Sequence, residues 1–115
     1  MGYLIGIDVG TSGPKALLCN EEGAVLATAT AGHPSTAPRP LWSEQNPEDW
    51  WDSTCTSVRQ VIADAGVEAK EVCGIGLSGQ MHGLVMLDEE HEVIRPAILW
   101  NDQRTAAECR QISDT

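Results

Sequence analysis

The sequence predicts an α/β fold whose mixed sheet opens with three antiparallel strands, and three observations carry that expectation. Short apolar runs near the N-terminus are separated by glycine turns, a single well-marked amphipathic helix follows, and a further glycine-bearing strand comes after the helix. The order is strand, strand, strand, helix, strand.

Tyr3 to Val9 is an apolar run interrupted by Gly6 and closed by Gly10, which fits a central strand. Lys15 to Asn20 and Val25 to Thr30 are the next two strands, joined by Glu21-Glu22-Gly23, whose glycine suits the left-handed position of a three-residue hairpin loop. From Ala31 to Asn46 the chain carries Pro34, Pro38 and Pro40 and reads as a surface loop. Asn46 then serves as an N-cap, Pro47 takes the first helical position, Glu48 and Asp49 sit in the electropositive first turn, and Gly66 stops the helix. Trp51, Cys55, Val58, Ile62 and Ala65 recur at steps of four and three, so they are the expected buried face, with Trp51 in the core. Val72 to Ser78 is a fourth strand, in which Gly74 and Gly76 permit close approach of a neighbour. Leu84 to Leu87 and Val93 to Arg95 are expected to pair around Asp88-Glu89-Glu90-His91, and a second helix starts near Asp102. This order suits a ribonuclease-H-like module, the half-unit shared by actin, chaperone ATPases and sugar kinases, and that analogy alone fixes no function.

Composition narrows the field. With 42% hydrophobic and 21% charged residues the chain has the balance of an ordinary globular domain, and 115 residues make one small one. A net charge of -10 would repel a phosphate backbone, so nucleic acid is not an expected partner. No run approaches the ~20 apolar residues of a membrane span, and no secretory signal is evident after Met1, so the expected location is cytoplasmic with no membrane partner. Cys19, Cys55, Cys73 and Cys109 are widely spaced and read as reduced and mostly buried.

Three segments carry chemistry. Gly6-Ile7-Asp8-Val9-Gly10-Thr11-Ser12-Gly13-Pro14-Lys15 bends between the first two strands and resembles a phosphate cradle: its glycines admit a ligand to the backbone, Thr11 and Ser12 offer donors, and Lys15 offers a positive charge. Asp8 at the strand end could hold hydrated Mg²⁺. A plain glycine hairpin with an incidental aspartate is the other reading, and a Walker A loop is excluded because no Gly-Lys-Ser or Gly-Lys-Thr follows. Leu77-Ser78-Gly79-Gln80-Met81-His82-Gly83 lies at the C-terminal end of a strand, where Gln80, Met81 and His82 suit a polyhydroxylated ligand or serve a structural loop. In Trp100-Asn101-Asp102-Gln103-Arg104 the indole could stack on a sugar or fill a core, and Asp102 could bind ligand or cap the next helix.

These motifs, together with Leu41-Trp42-Ser43-Glu44-Gln45-Asn46-Pro47 and Trp50-Trp51, resemble the N-terminal region of the FGGY carbohydrate kinases over essentially all 115 residues. Gln80-Met81-His82-Gly83 and Arg95-Pro96-Ala97-Ile98-Leu99-Trp100-Asn101-Asp102 are most similar to the members that phosphorylate D-xylulose. The resemblance implies ATP and Mg²⁺ as cofactors, Asp8 organising phosphate and metal, and Thr11, Ser12, Gly13 and Lys15 binding nucleotide phosphate. It implies Gln80, Met81 and His82 on the sugar, with Trp100, Asn101, Asp102 and Arg104 as a pocket wall whose contacts vary among members. It also implies that residues 1–115 are the first part of a two-domain enzyme whose general-base aspartate lies beyond Thr115, so that the 115 residues alone would be inactive; a homodimeric intact enzyme is compatible with it. The rival readings are a kinase of ribulose, gluconate or fuculose, a ribonuclease-H-type nuclease, which fits poorly because Ser78 stands where a further acid is needed, and a non-catalytic sugar-binding module.

Overall fold

The computed structural model describes residues 2–115, which form two compact units: 2–33 with 48–80, and 34–47 with 81–115. In the first unit, β1 (Tyr3–Val9), β2 (Pro14–Asn20), β3 (Val25–Thr30) and β5 (Val72–Gly79) make a sheet in the order β3-β2-β1-β5. The first three strands form the expected antiparallel meander, and β5 returns parallel to β1. Gly23, at φ +84°, takes the left-handed position of the β2-β3 loop, which closes through the Asn20 and Gly23 amides.

The period-two alternation of β1 and β2 turns Ile5, Ile7, Ala16 and Leu18 to one face. That face is covered by α1 (Pro47–Ala65), which ends at Gly66 with φ +68°. The docking stripe of α1 is rotated by about one residue from the expected one. Ser57 and Val61 are its buried residues, Val58, Ile62 and Ala65 flank them, and Trp51 is 66% exposed rather than core. Ser57 explains the rotation: its hydroxyl donates to the Pro14 carbonyl at 3.2 Å, so a small polar side chain sits at the centre of the contact. The cysteines are free as expected, yet Cys19 and Cys55 are only half-buried, and Cys73 and Cys109 are exposed.

In the second unit, β4 (Glu44–Gln45) pairs antiparallel with β6 (Ala97–Ile98), Thr36 bridges to Glu44, and Leu84 bridges to Ile98. The expected hairpin over 84–95 shrinks to a bridge between Leu87 and Val93 around a tight turn. Asp88 closes that turn by accepting the Glu90 and Glu92 amides, while Leu84 pairs with Ile98 instead of continuing the ladder. The second helix, α2 (Ala106–Ser113), begins later than expected because residues 102–105 are held in a turn by Asp102. Among the described residues no helix is long and apolar enough to cross a membrane.

Candidate active site

The register of the first unit assembles one cluster. Asp8 lies directly across from Lys15 on β2 and level with Ser78 on β5, so all three residues share the sheet face opposite α1. They line a groove of about 440 Å³ with Gly6, Leu17 and Gly76, where the two glycines keep the floor free of side chains. Asp8 and Lys15 are both exposed.

The bend after β1 is shaped at Gly13 by a backbone approach that only glycine permits. At Gly13, with φ +149°, a Cβ would lie 2.4 Å from the Ala31 carbonyl oxygen. At Gly10 a Cβ would sit 3.9 Å from the Asp8 carboxylate, and the missing side chain leaves that approach open. The bend is tied to the segment after β5. The Gln80 amide donates to the Val9 carbonyl at 3.0 Å, and the Thr11 hydroxyl donates to the Gln80 side-chain oxygen at 3.2 Å. Thr11 and Gln80, expected to face phosphate and sugar respectively, are thus hydrogen-bonded to each other. Their separation of 69 positions hid that link from the sequence.

Met81 and His82 belong to the second unit, where both are exposed. His82 holds φ +61°, a left-handed conformation that costs a non-glycine residue about 1–3 kcal/mol and persists only where its surroundings impose it. Trp100 and Asn101 are the exposed corners of a turn closed by the Asp102 amide on the Leu99 carbonyl at 3.1 Å. Asp102 and Arg104 are instead engaged with each other. Arg104 donates to Asp102 through Nε and Nη2, and the Asp102 carboxylate also accepts the Ser43 and Arg104 amides. The Arg104 hydrogen bond is the main cause that pulls the Asp102 carboxyl down to about 2, burial opposing it; the same bond raises the Arg104 pKa. Arg104 reaches Glu44 at 2.7 Å and stacks over the Trp42 ring at 3.6 Å, and Arg95 pairs with the same Glu44. Glu44 is 5% exposed. Sequence reading missed it as a site residue; its only signal is an acid in a tryptophan-bearing loop just ahead of a helix cap.

The N-terminal domain of the FGGY family of carbohydrate kinases matches residues 3–115. The chain belongs to this family. It is 50% identical over 110 residues to the xylulose kinase of Klebsiella pneumoniae, covering 96% of this chain and 22% of that protein. It is 45% identical over 114 residues to the xylulose kinase of Bacillus subtilis, covering 99% of this chain and 23% of that one. A crystal structure of a "xyloylose kinase" from Brucella ovis superposes with a TM-score of 0.92 at 41% identity, over 97% of this chain and 24% of that chain. The chain therefore spans under a quarter of the length of these FGGY relatives, and it shares their actin-like ATPase fold.

Toward the ATP and Mg²⁺ that the family resemblance implies, the groove offers one exposed carboxylate, Asp8, and one exposed amine, Lys15. Among the described residues no group of three or more His, Cys, Asp or Glu could hold a metal ion. A lone exposed carboxylate such as Asp8 suits Mg²⁺, which keeps most of its water and takes the rest of its ligands from phosphate.

Proposed function

We propose that the chain is the N-terminal part of an ATP-dependent sugar kinase that phosphorylates D-xylulose to D-xylulose 5-phosphate in the cytoplasm. The observation that carries this reading is the direct tie between the glycine bend and the Gln80 segment, in a chain half identical to a xylulose kinase.

In this reading the Ser12 hydroxyl and the backbone amides from Gly10 to Gly13, that of Thr11 among them, donate to the terminal phosphates, and Lys15 adds a positive charge beside them. Asp8 would hold hydrated Mg²⁺, whose chemistry is to offset charge on the transferring phosphoryl group. Gln80, with its carboxamide on Thr11, ties the bend to the end of β5. Met81 and His82, and at a second place Trp100 and Asn101, offer exposed apolar and hydrogen-bonding surface to a polyol. The proton of the attacking hydroxyl passes to an aspartate outside these 115 residues, as the family resemblance implies, so the 115-residue chain alone turns nothing over.

The test is a coupled ADP-release assay on the complete gene product with D-xylulose, D-ribulose, D-gluconate, L-fuculose and glycerol. D-xylulose is expected to give the highest kcat/KM by about tenfold or more, the scale that differential binding of a sugar reaches. A higher kcat/KM for another of these would reassign the substrate, and no ADP release with any would sink the kinase reading. Asp8→Asn is expected to lower kcat by at least about a hundredfold.

A further inference from the structure

Glu44 is buried and charged, and the proposed chemistry assigns it no part. Its backbone is the hinge of a miniature sheet, for it pairs with Thr36 on one side and with Ile98 on the other. Ile98 in turn exchanges two hydrogen bonds with Leu84, at 2.8 and 3.1 Å. Leu84 follows Gly83 directly, and Gly83 follows His82 in its left-handed conformation. Pairings one or two residues long carry too few hydrogen bonds to fix a register by themselves.

The side chains supply what the ladder lacks. The Glu44 carboxylate accepts from Arg95, three residues before Ile98, and from Arg104, six residues after it, so it grips both flanks of β6. Two more ties lay the same stretch along residues 41–43: the Leu99 amide donates to the Ser43 carbonyl at 3.0 Å, and the Gln103 amide donates to the Leu41 carbonyl at 2.7 Å. Asp102 closes the set by accepting the Ser43 amide at 2.7 Å while holding Arg104. Two acids and two guanidiniums make a neutral quartet. Such a quartet is a weak source of stability against an apolar replacement, and its best-attested use is to specify one arrangement.

We infer that Glu44 is a positioning residue for the sugar loop: by gripping Arg95 and Arg104 it fixes the Ile98–Leu84 pairing and so holds His82 in its left-handed turn. Asp102 and Arg104 then act through Glu44 and Ser43 rather than on the sugar, which leaves Trp100 and Asn101 as the exposed members of that segment.

This inference rests on the kinase reading for the word sugar, and two measurements on the complete gene product keep the two apart. In Glu44→Gln, which keeps the shape and removes the charge, KM for D-xylulose is expected to rise about tenfold while KM for ATP stays within about twofold. Hydrogen exchange at the Leu84 and Ile98 amides is expected to accelerate, with the β1 and β2 amides unchanged. Glu44→Asp, which keeps the charge on a shorter stem, is expected to recover part of the KM. A Glu44→Gln protein that melts earlier but keeps its KM for sugar would show a merely structural role and overturn the inference. If the wild type phosphorylates no sugar, the kinase reading fails, and the exchange data alone decide: unchanged protection at Leu84 and Ile98 overturns the positioning role, selective loss upholds it. Should Glu44→Gln not fold, Arg95→Gln removes one of the two grips at a partly exposed side chain and is read in the same way.

Discussion

The two units are held together by opposite means. The first has a conventional apolar centre of Ile5, Ile7, Ala16, Leu18 and Val61, sealed by one helix and spread over strands of six to eight residues. The second buries only Ala97 and Leu99 among its apolar side chains, while Glu44 and Gln45 are buried beside them and Asp102 and Arg104 are nearly so. Burial of apolar surface is strong and indifferent to direction, whereas paired charges are directional and contribute little net stability. The glycine bend therefore sits on a sheet with an apolar core behind it. The loop bearing Met81 and His82 depends on a polar clasp.

Removing one side of the clasp should produce the largest effect. Glu44→Ala leaves Asp102 to Arg104 alone and takes from Arg95 the carboxylate it pairs with, and it is expected to cost roughly 3 kcal/mol, confined to the second unit. Hydrogen exchange checks the confinement: if β1 and β2 lose protection equally, the two units are one cooperative body and the contrast disappears. Leu18→Ala is the mirror experiment. Leu18 is fully buried, and a cavity there is expected to cost about 3 kcal/mol, read as a lower urea midpoint with protection lost first in β1 and β2.

Acid separates the units next. The Asp102 carboxyl sits at about 2 in the folded chain, below its ordinary 3.8, so its contribution is complete above about pH 4 and is lost as pH falls towards 2. Arg104 stacks on Trp42, so the Trp42 indole N–H resonance should shift across that window and not between pH 7 and 5. Asp102→Asn should abolish the shift. A shift centred near pH 6 would place its cause elsewhere.

How much of this was legible in the sequence follows the same divide. The meander, the helix start at Pro47 and the stop at Gly66 were readable because period, proline and glycine turns act within a few residues. So was the glycine bend that Asp8 and Lys15 flank. In the second unit, two-residue strands have no period to read, and the apolar run 84–87 suggested a hairpin although every one of its side chains is exposed. Glu44, Asp102 and Arg104 look like surface residues in composition. Only their meeting, 60 positions apart for Glu44 and Arg104, makes them a core.

The smallest expected effect tests where sequence periodicity and structure part company within the first unit. The step of four and three that runs through Trp51, Cys55, Val58, Ile62 and Ala65 is a genuine apolar stripe whose Val58, Ile62 and Ala65 pack at the flank of the contact, but its centre is the adjacent stripe through Ser57 and Val61. Two stripes one residue apart differ by about 100° of helix rotation, and hydrophobicity alone favours the one with tryptophan. The Ser57 hydroxyl selects the other, because a small donor there satisfies itself on the Pro14 carbonyl, which also accepts the Ala31 amide. Trp51→Gln should then change the stability of the 115-residue chain by less than about 0.5 kcal/mol. Ser57→Ala, which removes one of the two hydrogen bonds to the Pro14 carbonyl and leaves the Ala31 amide as the other, should cost about 1 kcal/mol. If urea midpoints rank the two the other way round, the helix docks through its tryptophan stripe, and the physical reason given for the rotation is wrong.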